Sequence, residues 1–192
     1  MNGSVIIMKN EIKNAIGHFK TITSHRHAVI LLCAKAGIFW QGLRHDLSKY
    51  SLAEFLPGVR GYLGNRSPNE VERAEKGYSS AWLHHKGRNK HHFEYWTDYS
   101  PVTRTVSPVK MPVRFVIEMF CDRVAASKIY QGEKYDEAYP LLYFEKGRDS
   151  RFIHPETSEL LESFLVMLKE KGEDETLRHI RSLLKKTSDL KY

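Results

Sequence analysis

The chemistry in this 192-residue sequence is carried by its histidines and a few acidic residues. The chain has ten His, and six of them fall in two places: His25 and His27, then His84, His85, His91 and His92. Clustered imidazole is a composition expected of metal sites. A further histidine stands beside an aspartate in His45-Asp46-Leu47-Ser48-Lys49. Adjacent side chains diverge in a regular helix, but at a helix end an imidazole and a carboxylate can converge on one ion. Such donors suit Mn, Fe, Co, Ni or Zn, and mixed sites of this kind usually keep a position open for water. Asp122 lies in an otherwise apolar helical pattern and needs a partner there, because a buried unpaired carboxylate is costly. A metal supplies that partner; a structural ion pair with Arg114 or Arg123 is the alternative.

The stretch Trp82-Leu83-His84-His85-Lys86-Gly87-Arg88-Asn89-Lys90-His91-His92 interleaves four histidines with Lys86, Arg88 and Lys90. Fully protonated, these groups would repel one another. Neutral imidazoles on a metal, with the lysines and arginine drawing an anion, resolve the conflict. A solvated basic loop is the plainer alternative. Helical spacing sets His85 with Tyr78 and Trp82, facing inward, while His84 leans toward Ser80 and Ala81. His18, His27, His154 and His179 stand alone and read as surface or core residues.

The elements that must position these groups are helices nearly throughout. Ile12, Ile16, Phe19 and Ile22 recur at helical spacing. A second helical stretch from about His25 carries Val29, Leu32, Cys33 and Ala36, and Gly37 is a C-terminal stop. A short helix over about 39–46 brings the His-Asp pair. Ser51-Leu52-Ala53-Glu54 reads as a capping box opening a helix that Gly64 ends, and Ser67-Pro68-Asn69-Glu70 repeats the device for a helix carrying Val71, Ala74, Tyr78, Trp82 and His85. The stretch 86–110 lacks helical period, contains Pro101 and Pro108, and is the longest loop; 102–109 could form a short β ribbon. Pro112 opens a helix to about Tyr130, followed by helices over about 135–146, 155–171 and 173–186. The expectation is an all-α fold of six to eight helices in a single domain over 1–192, with its core in about 10–150 and the C-terminal helices at about 155–186 packing on it.

Composition bounds the function. Hydrophobic residues make up 41% and charged residues 28%, so a packed core without disulfide staples is expected. Cys33 and Cys121 sit in apolar patterns and read as buried free thiols in a reducing compartment. The run Ala28–Trp40 is broken by Lys35 and Gly37 and is too short to span a bilayer. No signal peptide is expected in the first residues, so a cytoplasmic location is expected. The net charge of +7 favours anionic partners, chiefly a small phosphorylated substrate. Nucleic acid is a weaker reading, because no binding motif accompanies the scattered charge.

The order His25…His45-Asp46…Asp122 resembles the HD-domain superfamily of metal-dependent phosphohydrolases, whose pattern is H…HD…D. His45-Asp46-Leu47-Ser48-Lys49 is similar to the HD-x-G-K string of its GYP branch, with Ser48 in the glycine position. The rest of that signature is missing, so cyclic-dinucleotide hydrolysis is not implied. The narrower resemblance is to an uncharacterised family of short bacterial and phage proteins. It rests on Gly42-Leu43-Arg44-His45-Asp46-Leu47-Ser48-Lys49-Tyr50, Ala81-Trp82-Leu83-His84-His85, Arg88-Asn89-Lys90-His91-His92 and Tyr95-Trp96, and covers roughly residues 18 to 160.

The HD resemblance implies an HD-like helical bundle holding one or two divalent ions. His25, His45, Asp46 and Asp122 would bind the first ion. His84, His85, His91 and His92, with Glu54, would bind a second or contact substrate. Lys49 and Arg88 would neutralise phosphate oxygens while water activated by the ion attacks phosphorus. The expected activity is therefore hydrolysis of a nucleotide or other small phosphate ester. The alternatives are an HD-type di-iron oxygenase and a non-enzymatic phage or mobile-element accessory module with a structural metal.

Overall fold

The computed structural model describes residues 2–64 and 67–186. The ends of the single-domain reading, residue 1 and residues 187–192, lie outside the described residues. Among those described are eight α-helices: α1 (Asn2–Ala36), α2 (Phe39–Arg44), α3 (Leu52–Arg60), α4 (Pro68–Lys76), α5 (Ser80–Lys86), α6 (Val113–Gln131), α7 (Tyr139–Lys146) and α8 (Pro155–Lys186). One antiparallel hairpin, β1 (Thr97–Ser100) with β2 (Thr105–Pro108), completes the regular structure. The fold is mainly α-helical, as the periodicity predicts. No described helix is long and apolar enough to cross a membrane.

The chain forms two compact units. One takes residues up to His27 together with Asp46–Asn89; the other takes Ala28–His45 together with residues from Lys90 onward. α1 belongs to the first unit up to His27 and to the second from Ala28. The break expected near His25 is absent, and α1 runs as one helix of 35 residues.

The first unit has a polar interior. α3 packs on α4 and α5. Among the described residues its buried apolar side chains are Ile22 and Ala81, whereas His18, His25, Asp46, Glu54, Glu72, Ser79 and His85 are all buried. Close approach depends on Gly58 of α3, where an added Cβ would lie 2.2 Å from His18 Nε2. His18 is held neutral: burial, then the Lys49 charge, lowers its pKa to about 4.

Two helix starts differ from expectation. Neither Ser51 nor Ser67 makes a side-chain cap bond. The single helix expected through Val71 and His85 is two, because Gly77 takes a left-handed conformation (φ 79°) that ends α4. α5 restarts from Ser79, whose Oγ accepts the Trp82 N–H at 3.0 Å. Glu72 secures that start, accepting from Ser79 Oγ at 2.8 Å, Ser80 Oγ at 2.6 Å and the Ala81 N–H at 3.3 Å.

The second unit holds the apolar core. α6 is its spine, with Val116, Ile117, Phe120, Cys121, Val124 and Ala125 fully buried against Val29, Leu32, Cys33 and Ala36 of α1 and Leu161, Phe164, Leu165 and Leu168 of α8. The rings of Phe120 and Phe164 meet edge-on at 5.9 Å. Burying one such large side chain contributes about 1.5–3 kcal/mol. Cys33 and Cys121 are buried free thiols, as expected. α8 is interrupted at Gly172 (φ 80°, ψ 169°), matching the two C-terminal helices read from the sequence. The ribbon is shifted from 102–109: Thr97 pairs with Pro108 and Ser100 with Thr105.

Candidate metal centre

In the first unit the site grows from the backbone of Asp46. This residue sits at φ 53°, ψ 25°, left-handed for a non-glycine, at the start of a 3-10 turn over Leu47–Tyr50. Aspartate tolerates this conformation better than most residues, and such strain clusters at ligand-holding sites. The carboxylate is buried. Its Oδ1 lies 3.3 Å from His85 Nε2, and its Oδ2 lies 4.0 Å from His25 Nε2 and 2.6 Å from Lys49 Nζ. Behind the histidines stands Glu54, whose two oxygens take the Nδ1 atoms of His84 and His85 at 2.7 Å each. Burial tends to raise the Glu54 carboxyl, but hydrogen bonds from His85, Ser48 and His84 outweigh it and lower its pKa. Asn89 steadies the arrangement by donating to Ser48 Oγ at 2.8 Å.

In the second unit the corresponding carboxylate is Glu118, one turn before Asp122 on α6. Its Oε1 takes His45 Nδ1 at 2.9 Å and lies 3.3 Å from His91 Nδ1. His45 then directs Nε2 at Asp122 Oδ1, 3.4 Å away. The His45 and His91 rings are 4.3 Å apart, and His92 lies 4.1 Å from His91. Ligand atoms of His45, His91 and Glu118 all lie within 4.8 Å of one another. Burial would raise the Glu118 carboxyl, yet the hydrogen bonds from His45 and His91 bring it down to about 2. Gln41 of α2 donates to the other Glu118 oxygen and accepts from Arg114 Nε at 2.7 Å.

Taken unit by unit, the residues singled out by sequence form two sets. His25, Asp46, His84 and His85, with Glu54 and Lys49, gather in the first unit. His45, His91, His92 and Asp122 gather in the second. Glu54 bonds His84 and His85, and Lys49 bonds Asp46. Arg88, also in the first unit, is exposed and donates to the His84 carbonyl at 3.3 Å. Asp122 faces His45, with Arg123 adding a favourable charge nearby. Glu118 and Gln41 were not picked out as site residues. For Glu118 the signal was available, since the spacing 118–122 puts two carboxylates on one helix face; for Gln41 there was none.

One order of groups occurs twice: Glu54–His85–Asp46 and Glu118–His45–Asp122. Metal-ligating histidines characteristically give their second ring nitrogen to a carboxylate, which fixes the tautomer and ring orientation. The donor sets fit a divalent transition metal on that chemistry. In the first set the Lys49 ammonium already lies against Asp46, a stand-in for a cation at that carboxylate.

Residues 14–167, which include every residue of both sets, match the pattern of a family described as a family of unknown function, DUF5662. Nothing among the curated proteins or the solved structures matches the chain.

Proposed function

We propose, for a chain that belongs to the DUF5662 family, a metal-dependent phosphohydrolase activity on a nucleotide or other small phosphate ester. The observation that carries the reading is the repeated carboxylate–imidazole–carboxylate order, once in each unit. His25, Asp46 and His85 are the candidate ligands of the first unit; His45, His91 and Asp122 are those of the second. Each residue of the H…HD…D pattern, His25, His45, Asp46 and Asp122, belongs to one of these sets, and this supports the HD-like reading. A bound divalent ion supplies Lewis acidity, lowering the pKa of water to near neutrality and polarising a phosphoryl oxygen.

The chain's own residues prepare that chemistry. Glu54 keeps the proton of His85 on Nδ1, so Nε2 stays a lone-pair donor; Glu118 does the same for His45. Hydrogen bonds from the imidazoles lower the pKa of both glutamates, so each is an ionised acceptor for a ring N–H at neutral pH. His84, half-buried with Nδ1 on Glu54, is placed to pass a proton through its other ring nitrogen.

The test is hydrolysis of a panel of nucleotides and phosphate monoesters by protein loaded with Mn, Co, Ni or Mg. Turnover that is lost in Asp46→Asn and Asp122→Asn supports the reading. Inactivity of metal-loaded protein on the whole panel counts against it. Iron in the purified protein, with an absorbance change on exposure to oxygen, would redirect it to an oxygenase.

A further inference from the structure

Two cations of the second unit meet around one aromatic ring. Lys90 Nζ lies 5.9 Å and Arg114 Cζ 5.5 Å from the centroid of Phe115, and Lys90 also faces Tyr95 at 5.7 Å. Both are held in place. Trp96 donates its indole N–H to the Lys90 carbonyl at 2.7 Å and packs its ring 5.6 Å from Phe115. Arg114 gives its Nε to Gln41. An aromatic face attracts a cation but occupies none of its N–H donors in strong hydrogen bonds. Among the described residues neither cation forms an ion pair, and both are exposed. The three donors of Lys90 and the outer edge of the Arg114 guanidinium therefore remain for an acceptor from outside.

Their location gives that acceptor a purpose. Lys90 immediately precedes His91. Arg114 lies one turn before Glu118, and Gln41 bridges the two by accepting from Arg114 and donating to Glu118. Two like charges drawn to one ring raise the positive potential around it, and a bound anion would offset it. The arginine fork matches phosphate oxygens in pairs, and lysine adds a point charge. The two cations assigned to phosphate from sequence are engaged elsewhere, Lys49 with Asp46 and Arg88 with the His84 carbonyl.

We propose that Lys90 and Arg114 form a phosphate-binding subsite beside the His45, His91 and Glu118 set. As a part of catalysis this rests on the phosphohydrolase reading; as an anion site it does not. The subsite would hold a phosphate group of the substrate and select for ligands that carry one.

The test is calorimetric titration of the full chain with inorganic phosphate, with and without added zinc, for the wild type and for Lys90→Gln, Arg114→Gln and Arg114→Lys. A charge-assisted bond lost in Lys90→Gln or Arg114→Gln should weaken phosphate binding about tenfold in each. Arg114→Lys, which keeps the charge and loses the fork, should fall between them and the wild type and serves if Arg114→Gln folds poorly. Wild-type protein that binds no phosphate, or variants that bind it as tightly as the wild type, would overturn the subsite. If zinc binds but phosphate binding ignores Lys90 and Arg114, the subsite falls and the metal reading stands. If no metal binds but phosphate binding needs both cations, the subsite stands and the phosphohydrolase reading falls.

Discussion

Replacing Glu54 by glutamine removes one oxygen from a carboxylate that holds two imidazoles, His84 and His85, each at 2.7 Å. The glutamine amide can accept from only one of them and presents its NH2 to the other ring N–H. One charge-assisted hydrogen bond is lost, worth about 1.5–3 kcal/mol. Carboxylates that orient a metal-bound histidine typically contribute about 10–100-fold in metal affinity, or roughly 1.4–2.8 kcal/mol, so the two magnitudes agree. The assay is competition between protein and a chromophoric chelator for zinc near neutral pH, with melting followed by circular dichroism. The account expects Glu54→Gln to remain folded and bind zinc about 10–100-fold more weakly. There is also a pH signature. The Glu54 carboxyl is depressed in the fold, so its contribution to stability is present above the ordinary carboxylate value and fades as pH falls through the folded value. Glu54→Gln should flatten that acid limb. Zinc affinity within twofold of wild type, in a variant that melts normally, would refute the assignment of Glu54 as an orienting residue.

The remaining predictions concern neighbouring parts of the structure. Asp46→Asn should fold, because asparagine also tolerates the left-handed backbone at this position, yet lose metal from the first set; unchanged metal stoichiometry would remove Asp46 from the ligands. Gly58→Ala would place a methyl 2.2 Å from His18 Nε2 and should cost about 1–3 kcal/mol in denaturant unfolding; a neutral result would show that α1 and α3 are not so closely packed. Glu72 has its pKa lowered to about 2: burial raises it, but Ser80, Ser79 and the Ala81 N–H outweigh that. Its contribution should therefore be complete above the ordinary value of 4.5 and fade as pH falls from there toward about 2. Acid unfolding of Glu72→Gln should lack this component, and identical acid curves for variant and wild type would contradict it.

Much of the helical plan was legible because its punctuation is local. Pro112 opens α6, Gly172 interrupts α8, and the apolar spacing of Val116, Phe120 and Val124 identifies the buried face. The break at Gly77 was masked because Val71, Ala74, Tyr78 and Trp82 keep a helical period across it, and only the backbone shows the left-handed turn. Ser51 and Glu54 fit a capping box as a local motif. Tertiary contact prevails, since two imidazoles at 2.7 Å hold the carboxylate more strongly than an exposed helix start could. The candidate ligands could be picked from residue type alone, but not the carboxylate that each imidazole contacts. Spacing cannot report that Asp46 takes a positive φ, nor that His45, its neighbour, is gripped by Glu118 of α6. The polar interior of the first unit was equally hidden, because helical periodicity registers apolar faces and says nothing of buried His–Glu and His–Asp contacts.

The most direct test of the central claim is metal content, measured by elemental analysis of protein purified without added metal and then dialysed, for the wild type and for Asp46→Asn and Asp122→Asn. The account predicts one or two transition-metal ions per wild-type chain, with each variant losing metal while remaining folded. A folded wild-type chain that carries no metal, and takes up none on titration with zinc, manganese or iron, would contradict it.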